Sequence, residues 1–525
     1  MYRILKATKD SYITNKIIRA KGSSLTSSID SNTGQAGTID LFKLYNEPSG
    51  SGIQLSRGLV KFDLDELRAL TGSILNINDP SFKTYVRMKN VYGGQTIPSN
   101  YTLSLFPLAK DWAEGRGFDV VGYRDLDNVN WLTASTNPVV TTWTSGGIGY
   151  GADVTDINAD YYLSSSLLGS LPLGFSQSFA RGDEDLFLDV TAAVSATLNG
   201  SIPDYGFRLS FSGSQETDNI TRFVKRFSTK QSRNTNLHPA LVVKYDDSFL
   251  DNQAETYFDY SNKVGVYNNP FSTATNFISG STEISGSGSL LLTLLASSSQ
   301  YVTATTYSIS HQATISYQSA SWAYFSASFT GSQIQIGGIN QTGSYYADVN
   351  VPSNASGLST VLQGRNSLYF TSVWSSLDKT VEYIRGDDFE MKLIQGSNSN
   401  VIQRNYVINI TNLKDIYINT DVPRLRTFIY DFDPTLTSFY LPYKAKPRIF
   451  KTMYWKLIDP YTKEELIPFD EVGTKLSADG EGMYFDLYMN DLPLNRPLEI
   501  EFLIKEGKGS LFVENQRFIF KVVNQ

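Results

Sequence analysis

Cysteine is absent from this 525-residue chain, which excludes a disulfide framework, thiolate zinc sites and thiol catalysis together. Histidine is nearly absent. His238 and His311 are the only two, too few for the convergent groups of a Ser-His-Asp hydrolase or a His-based metal centre. Positive charge is not in surplus either: the net charge is -7 and the isoelectric point is near 5.2. A nucleic-acid footprint needs clustered Lys and Arg, so nucleic acid is not an expected partner. Long hydrophobic runs are missing as well. The plainest one, LLLTLLA near residue 290, is far too short to span a bilayer as a helix, and no membrane span is expected. The opening MYRILKATKDSYI reads directly as strand, with no basic-then-apolar leader. The expectation is a soluble chain made in a cytoplasm and released by lysis if it leaves at all.

What is present points to β-structure. Hydrophobic residues make up 41% and aromatics 13%, led by 32 Tyr and 30 Phe, while charged residues are held to 18%. Flat and β-branched side chains with few charges pack well on pleated surfaces. The length suggests roughly three domains, and three stretches of different composition divide the chain.

Residues 1–247 alternate short strand-like segments with turn residues: SYITNKII, TIDLFKLY, GLVKFDLD, KTYVRMKNV, YTLSLFPLA, YGFRLSF and PALVVKY. That rhythm predicts a sandwich rather than a βαβ fold. One helix is well signalled: Thr191 stands as its cap, Val194 and Leu198 share a face, and Gly200 supplies a left-handed end. KYDDSFLDNQ then reads as a linker. Residues 248–405 are rich in Ser, Thr, Gly and Asn, and between Lys263 and Asp348 the only acidic or basic residue is Glu283. Ala313, Ile315 and Tyr317 alternate with Thr314, Ser316 and Gln318, which predicts strand. An uncharged sheet lacks the usual defence against edge-to-edge pairing. Two readings stay open there: hydroxyl-rich outer faces, or surfaces covered by neighbouring subunits. Residues 406–525 regain charge, and in LEIEFLIKEG the residues Leu498, Ile500, Phe502 and Ile504 alternate with Glu499, Glu501 and Lys505. Several such segments in sequence predict an immunoglobulin-like sandwich. The fold class expected is therefore all-β: an N-terminal jelly-roll sandwich (1–247), a Ser/Thr/Gly-rich β domain (248–405) and an immunoglobulin-like sandwich (406–525).

Candidate chemistry is sparse. RGDEDLFLDVT, Arg181 to Thr191, carries an Arg-Gly-Asp tripeptide and four carboxylates, Asp183, Glu184, Asp185 and Asp189. Asp183 and Asp185 are the candidates for a structural calcium, since hard cations take carboxylate and carbonyl oxygens, though no EF-hand spacing is present. Leu186, Leu188 and Val190 alternate as a strand, which assigns Asp189 to strand-end hydrogen bonding. No organic cofactor and no catalytic residue are signalled. SGGIGYGAD and SGSGS are turns, without the Gly-Lys-Ser/Thr of a phosphate loop. Trp112, Trp131 and Trp143 lie in one strand-poor stretch. They suit either a core or a sugar-stacking platform, and a core is the commoner use in a small sandwich.

KDSYI, SNTGQAGTIDLFKLY, RGLVKFDLDEL, DWAEG, NWLTAS, TTWTSGGIGYGAD, LDVTAAV, DYGFRLSF and HPALVVKY follow one another in the first unit. In that order they resemble the DNRLRE-type domain, a jelly-roll module related to carbohydrate-binding modules. The match departs where IGYGA displaces an Asp after the paired glycines, and where the helix carries small residues in place of a Trp. RLRTFIYDFDP, YWKLIDPYTKEELIPFD and GMYFDLYMNDL are similar to immunoglobulin-like ends of virion proteins of tailed bacteriophages. The resemblances imply a non-enzymatic structural component of a phage particle, at the neck, tail, baseplate or capsid surface. Other virion proteins are its implied partners, with homo-oligomerisation in a symmetric assembly and adhesion to a host polysaccharide. A free carbohydrate-binding attachment protein is the alternative, and a polysaccharide-degrading enzyme using carboxylates is the third.

Overall fold

Alternating apolar residues become strands almost throughout, and the fold is all-β. The computed structural model describes all residues except 20–24, 48–51, 122–126, 137–138, 271–272, 299–306, 310–312, 318–322, 355–357, 359–361, 395–405, 432–446 and 507–508.

The N-terminal unit is a jelly-roll-like sandwich. Its main sheet runs Phe175–Phe179, Tyr101–Pro107, Phe207–Phe211, Ile53–Phe62, Tyr2–Thr14, Ala240–Lys244, Lys83–Met88 and Leu186–Asp189, with Thr38–Tyr45 and Arg222–Ser228 attached. One strand joins the two layers. Residues 2–6 of Tyr2–Thr14 pair with Ala240–Lys244, and after a bulge between Ala7 and Lys9 the rest pairs with Ile53–Phe62. A bulge lets a strand bend and change partners without losing its inward face. The two ends of the sheet meet at Gln177, whose side chain accepts from the Phe187 N–H (2.8 Å) and donates to the Asp185 carbonyl (2.9 Å). The amide side chain thus stands in for a missing backbone rung. Ile39, Leu41, Leu103, Leu105, Val190 and Leu241 lie in the core between the layers.

The helix forms at Thr191–Leu198, with Val194 and Leu198 buried and Gly200 at φ +80°. Thr191 is not its cap, as the sequence had suggested, but its first residue. Asp189 Oδ1 accepts from the Thr191 N–H (2.9 Å) and hydroxyl (2.6 Å), while Thr191 Oγ1 accepts from the Thr84 N–H (2.9 Å). The Thr191 hydroxyl is thereby turned to the neighbouring strand, and the Asp189 carboxylate stands at the positive end of the helix, where negative charge is favoured. Two short helices, Asp65–Leu70 and Gly213–Thr217, were not foreseen.

In the middle of the chain, Glu382–Lys392, Ser367–Ser375, Leu290–Ser298 and Ala323–Ile336 form the centre of a larger sheet. Leu290, Leu292 and Leu294 point into its core with Trp374 and Phe389. Thr293, on the opposite face, meets Ser328 hydroxyl to hydroxyl at 3.1 Å. A hydroxyl-rich outer face is thus present at this position, and cross-strand hydroxyl pairs stabilise it modestly. Strand Ala313–Tyr317 is formed. His311 lies outside the described residues.

The C-terminal part has two sheets. Tyr406–Ile410, Arg424–Asp431, Gly482–Asp486 and Ser477–Asp479 form one, and the other runs Ile416–Ile418, Gly509–Val523, Pro497–Glu506, Met453–Ile458, Glu465–Ile467. Trp455 stacks on Phe485 at 4.8 Å and Phe502 meets Phe485 edge-on at 6.1 Å, joining the two layers into a sandwich. Leu498, Ile500, Phe502 and Ile504 are all buried. The alternating face is less open than its charges suggest: Glu499 is also buried, near Lys463 (3.4 Å), and Glu501 pairs with Lys456 (2.8 Å).

The first and last parts share a core. Tyr2, Ile4, Ala240 and Val242 pack among Trp455, Leu457, Leu466, Met483 and Leu492. Arg3, 1% exposed, reaches across that boundary to Asp491 through Nε (2.7 Å) and Nη2 (3.2 Å), and its guanidinium lies 4.0 Å from the Tyr488 ring centre. KYDDSFLDNQ is not a free tether: the Asp251 N–H donates to the Ala478 carbonyl, the Ala478 N–H to Phe249, and Asp251 is fully buried.

Candidate functional site

The RGDED stretch is a turn stabilised from within. Glu184 accepts from the N–H groups of Ala180 (3.0 Å), Arg181 (2.9 Å) and Gly182 (2.6 Å). Burial pushes its carboxyl up, but these backbone bonds outweigh that and hold it below the ordinary carboxylate value. Below it the Lys225 ammonium, fully buried, donates to Asn90 Oδ1 (2.7 Å) and to the carbonyls of Gly182 (2.9 Å) and Glu184 (2.6 Å). Gly182 is required there. Its φ is +88°, and a Cβ would sit 2.0 Å from the Pro98 carbonyl oxygen. Arg181 lies 3.2 Å from Asp183, so the outer residues of the Arg-Gly-Asp triplet face each other. Asp185 pairs with Lys89 (2.9 Å) and accepts from the Asn90 N–H (2.8 Å). The two candidate calcium ligands therefore each hold a cationic side chain. Among the described residues no group of three or more His, Cys, Asp or Glu gathers around a metal-sized space.

The Trp-bearing stretch folds into a loop lobe on the N-terminal sandwich, with a small core of Ile13, Leu59, Leu108, Trp112, Val129, Ala134, Trp143 and Ile148. Trp112 and Trp143 are core residues, and their indole N–H groups donate to the carbonyls of Tyr205 and Asn130 (both 3.0 Å). Trp131 covers Gly146 and Gly147, with Arg57 5.4 Å from its ring centre. Fully buried Asp160 organises the loops by accepting from the N–H groups of Thr144 (2.7 Å), Ser145 (3.1 Å) and Tyr150 (3.1 Å) and from Lys110 Nζ (2.7 Å). In DWAEG, Glu114 accepts from the Asp10 N–H (2.8 Å) and from Lys230 Nζ (2.7 Å). Burial, helped by Glu114 and opposed by the Lys230 N–H, pushes Asp10 up to about 7. The lobe's surface differs from its interior. Phe118, Val121, Val139, Val140, Ile157 and Leu167 are each at least 64% exposed.

His238 is a structural residue. Its Nε2 lies 2.8 Å from the Ser232 carbonyl, and burial lowers its pKa. Arg57 grips Glu216 through Nε (2.9 Å) and Nη2 (2.7 Å), with Arg208 at 3.6 Å from the same carboxylate. The Glu216 carboxylate is thus held between two arginines in the interior.

Among the described residues a cleft of about 1160 Å3 lies between the middle and C-terminal sheets. One wall carries Tyr257, Tyr260, Lys263, Asp348, Asn366, Glu390 and Lys392, the other Arg448, Ile449, Phe450, Lys451, Thr452 and Lys505. Glu255 bridges the walls, accepting from the Tyr257 hydroxyl (2.5 Å) and the Ile449 N–H (2.7 Å). Asp348 holds Lys263 (2.9 Å), and Glu390 accepts from the Ser367 hydroxyl (2.7 Å). Nothing local in the sequence signals this cleft, because its residues run from Leu250 to Lys505. No family model matches the chain, and no curated protein sequence matches it.

Proposed function

We propose that this chain is a non-enzymatic structural protein of a tailed-bacteriophage virion, assembling with other virion proteins through the exposed faces of its β-sandwich units. The observation that carries the reading is the loop lobe. Asp160, Trp112 and Trp143 tie it down internally, while Phe118, Val121, Val139, Val140, Ile157 and Leu167 are left facing outward. Large apolar side chains grouped on one exposed lobe are suited to docking against a partner. The structural use of Glu184, Asp160, Glu216 and Asp491 supports the non-enzymatic part of the proposal. Copies arranged in a symmetric ring or sheath would present this lobe repeatedly to a neighbour.

Mass spectrometry of purified particles tests the proposal, with recovery expected in fixed ratio to the major virion proteins. Val140→Ser with Ile157→Ser, both exposed, is expected to leave the isolated chain folded and to reduce its incorporation. Absence from particles, or full incorporation of that variant, would overturn the reading. A second reading, attachment to a surface glycan, is favoured by the cleft.

A further inference from the structure

We propose that the cleft between the middle and C-terminal sheets binds a segment of an anionic polysaccharide, a chain of carboxylated or sulfated sugars. This deepens the adhesion part of the reading above. The first ground is charge. Lys263, Lys392, Arg448, Lys451 and Lys505 line the cleft against Asp348, Glu255 and Glu390, and with Glu471 holding Lys505 from outside the lining (2.7 Å) a local surplus of one positive charge remains in a chain of net charge -7. The carboxylates are occupied by Lys263, Ser367, Tyr257 and the Ile449 N–H. Two of the cations, Lys392 and Lys451, are held less closely. Lys392 stands 3.9 Å from Glu390, and Lys451 is exposed with no carboxylate within 4 Å among the described residues.

Ring geometry is the second ground. Tyr260 is 47% exposed at the rim, and Tyr257 is partly exposed, its hydroxyl held by Glu255. A tyrosine ring offers an apolar face with a polar edge, which matches a sugar ring with its axial C–H groups and equatorial hydroxyls. Asn252, Ser261, Asn366, Ser367 and Thr452 surround the rings with short donors and acceptors suited to a polyol. The dimensions fit as well, since about 1160 Å3 exceeds the usual range for one small ligand and suits several linked residues. The walls are fixed in place: Glu255 ties them together, and Asn252 pairs with Lys263 through backbone and side chain (2.7 and 3.2 Å).

The test uses the full chain in calorimetric titrations with polygalacturonate, chondroitin sulfate, neutral dextran, poly-glutamate and single-stranded DNA. Binding to one or both anionic glycans is expected, weakening as salt rises, with dextran silent. Binding of polygalacturonate, whose only anionic group is the carboxylate, would show that sulfate is not required. Lys392→Ala with Lys451→Ala, and separately Tyr260→Ala, are expected to weaken binding by about tenfold or more. All three positions are at least partly exposed, and an unchanged melting profile verifies the fold. The proposal is overturned if neither anionic glycan binds, if the variants bind like the parent, or if poly-glutamate or DNA binds as tightly. Particle composition is measured independently, so failure here leaves the assembly reading standing and failure there leaves the cleft standing.

Discussion

Removing the guanidinium of Arg3 should loosen the junction between the N-terminal and C-terminal sandwiches more than any surface change. In Arg3→Met the two bonds to Asp491 (2.7 and 3.2 Å) vanish, leaving the Ile4 N–H (3.1 Å) as the described donor to that carboxylate. Both side chains are at least 95% buried, so neither regains water when the pair is broken. The bond to Glu66 (2.6 Å) adds little, because Glu66 is 57% exposed. Breaking a buried pair from one side costs about 3–5 kcal/mol, chiefly the penalty on the charge left behind. That corresponds to roughly two to four orders of magnitude in the population of the opened junction. A chain of several units need not unfold in one step, so amide exchange is the suitable assay. Peptides covering Tyr2–Thr14 and Met453–Ile458 are expected to exchange faster in Arg3→Met while Leu290–Ser298 is unchanged. Arg3→Met combined with Asp491→Leu should recover most of the loss, since an apolar pair of similar volume removes the orphaned charge. A cost below about 1 kcal/mol for Arg3→Met, or no recovery in the double variant, would refute the picture of a desolvated clamp.

Gly182→Ala should lower stability by more than about 2 kcal/mol, because left-handed backbone and a 2.0 Å approach to Pro98 act together. Gly200→Ala, also left-handed but in open space, should cost only about 1 kcal/mol, and equal melting shifts would contradict the account. Asp10, pushed up to about 7 by burial, binds its proton more tightly folded than unfolded. Its contribution is therefore complete below pH 4 and lost as pH rises through 7, on the order of 4 kcal/mol. Asp10→Asn should flatten stability between pH 4 and 8 in urea titrations, and an unchanged slope would count against the assignment. Gln177→Ala removes both bonds at the sheet seam and should cost about 1–3 kcal/mol, with faster exchange at the Phe187 amide as the diagnostic signal.

Much of the fold was legible because alternation is local. Leu186, Leu188 and Val190 point inward as their spacing requires, with Phe187 left 48% exposed, and Gly200 ends the helix. The cap was not legible because the Thr191 hydroxyl is taken by the Thr84 N–H, more than 100 residues earlier, and the helix starts with Val190 in the cap position. The docking of KYDDSFLDNQ was hidden for a different reason. Its polar residues read as solvated, yet Asp251 is buried by chain that lies over 200 residues further on, at Ala478. The acidic run at Asp183 and Asp185 looked available for calcium. Its lysine and arginine partners include Lys89, nearly 100 residues earlier, which no local pattern exposes. The cleft shares this property, since it exists only where distant segments meet.

The clamp at Arg3 also sets a clock during synthesis. Asp491 follows 488 residues later, and at ribosomal speeds of 5–20 residues per second that interval is about 25–100 s. Until then Tyr2 and Ile4 lack the partners that bury them at Trp455 and Leu457, although the remainder of their sheet is already translated. A nascent chain interrupted before the last sandwich would therefore keep an apolar edge and an unpaired guanidinium open to water. Such fragments would be distinguishable from finished molecules by chaperones and proteases, so completion of the C-terminal part would act as a proofreading signal for the whole chain.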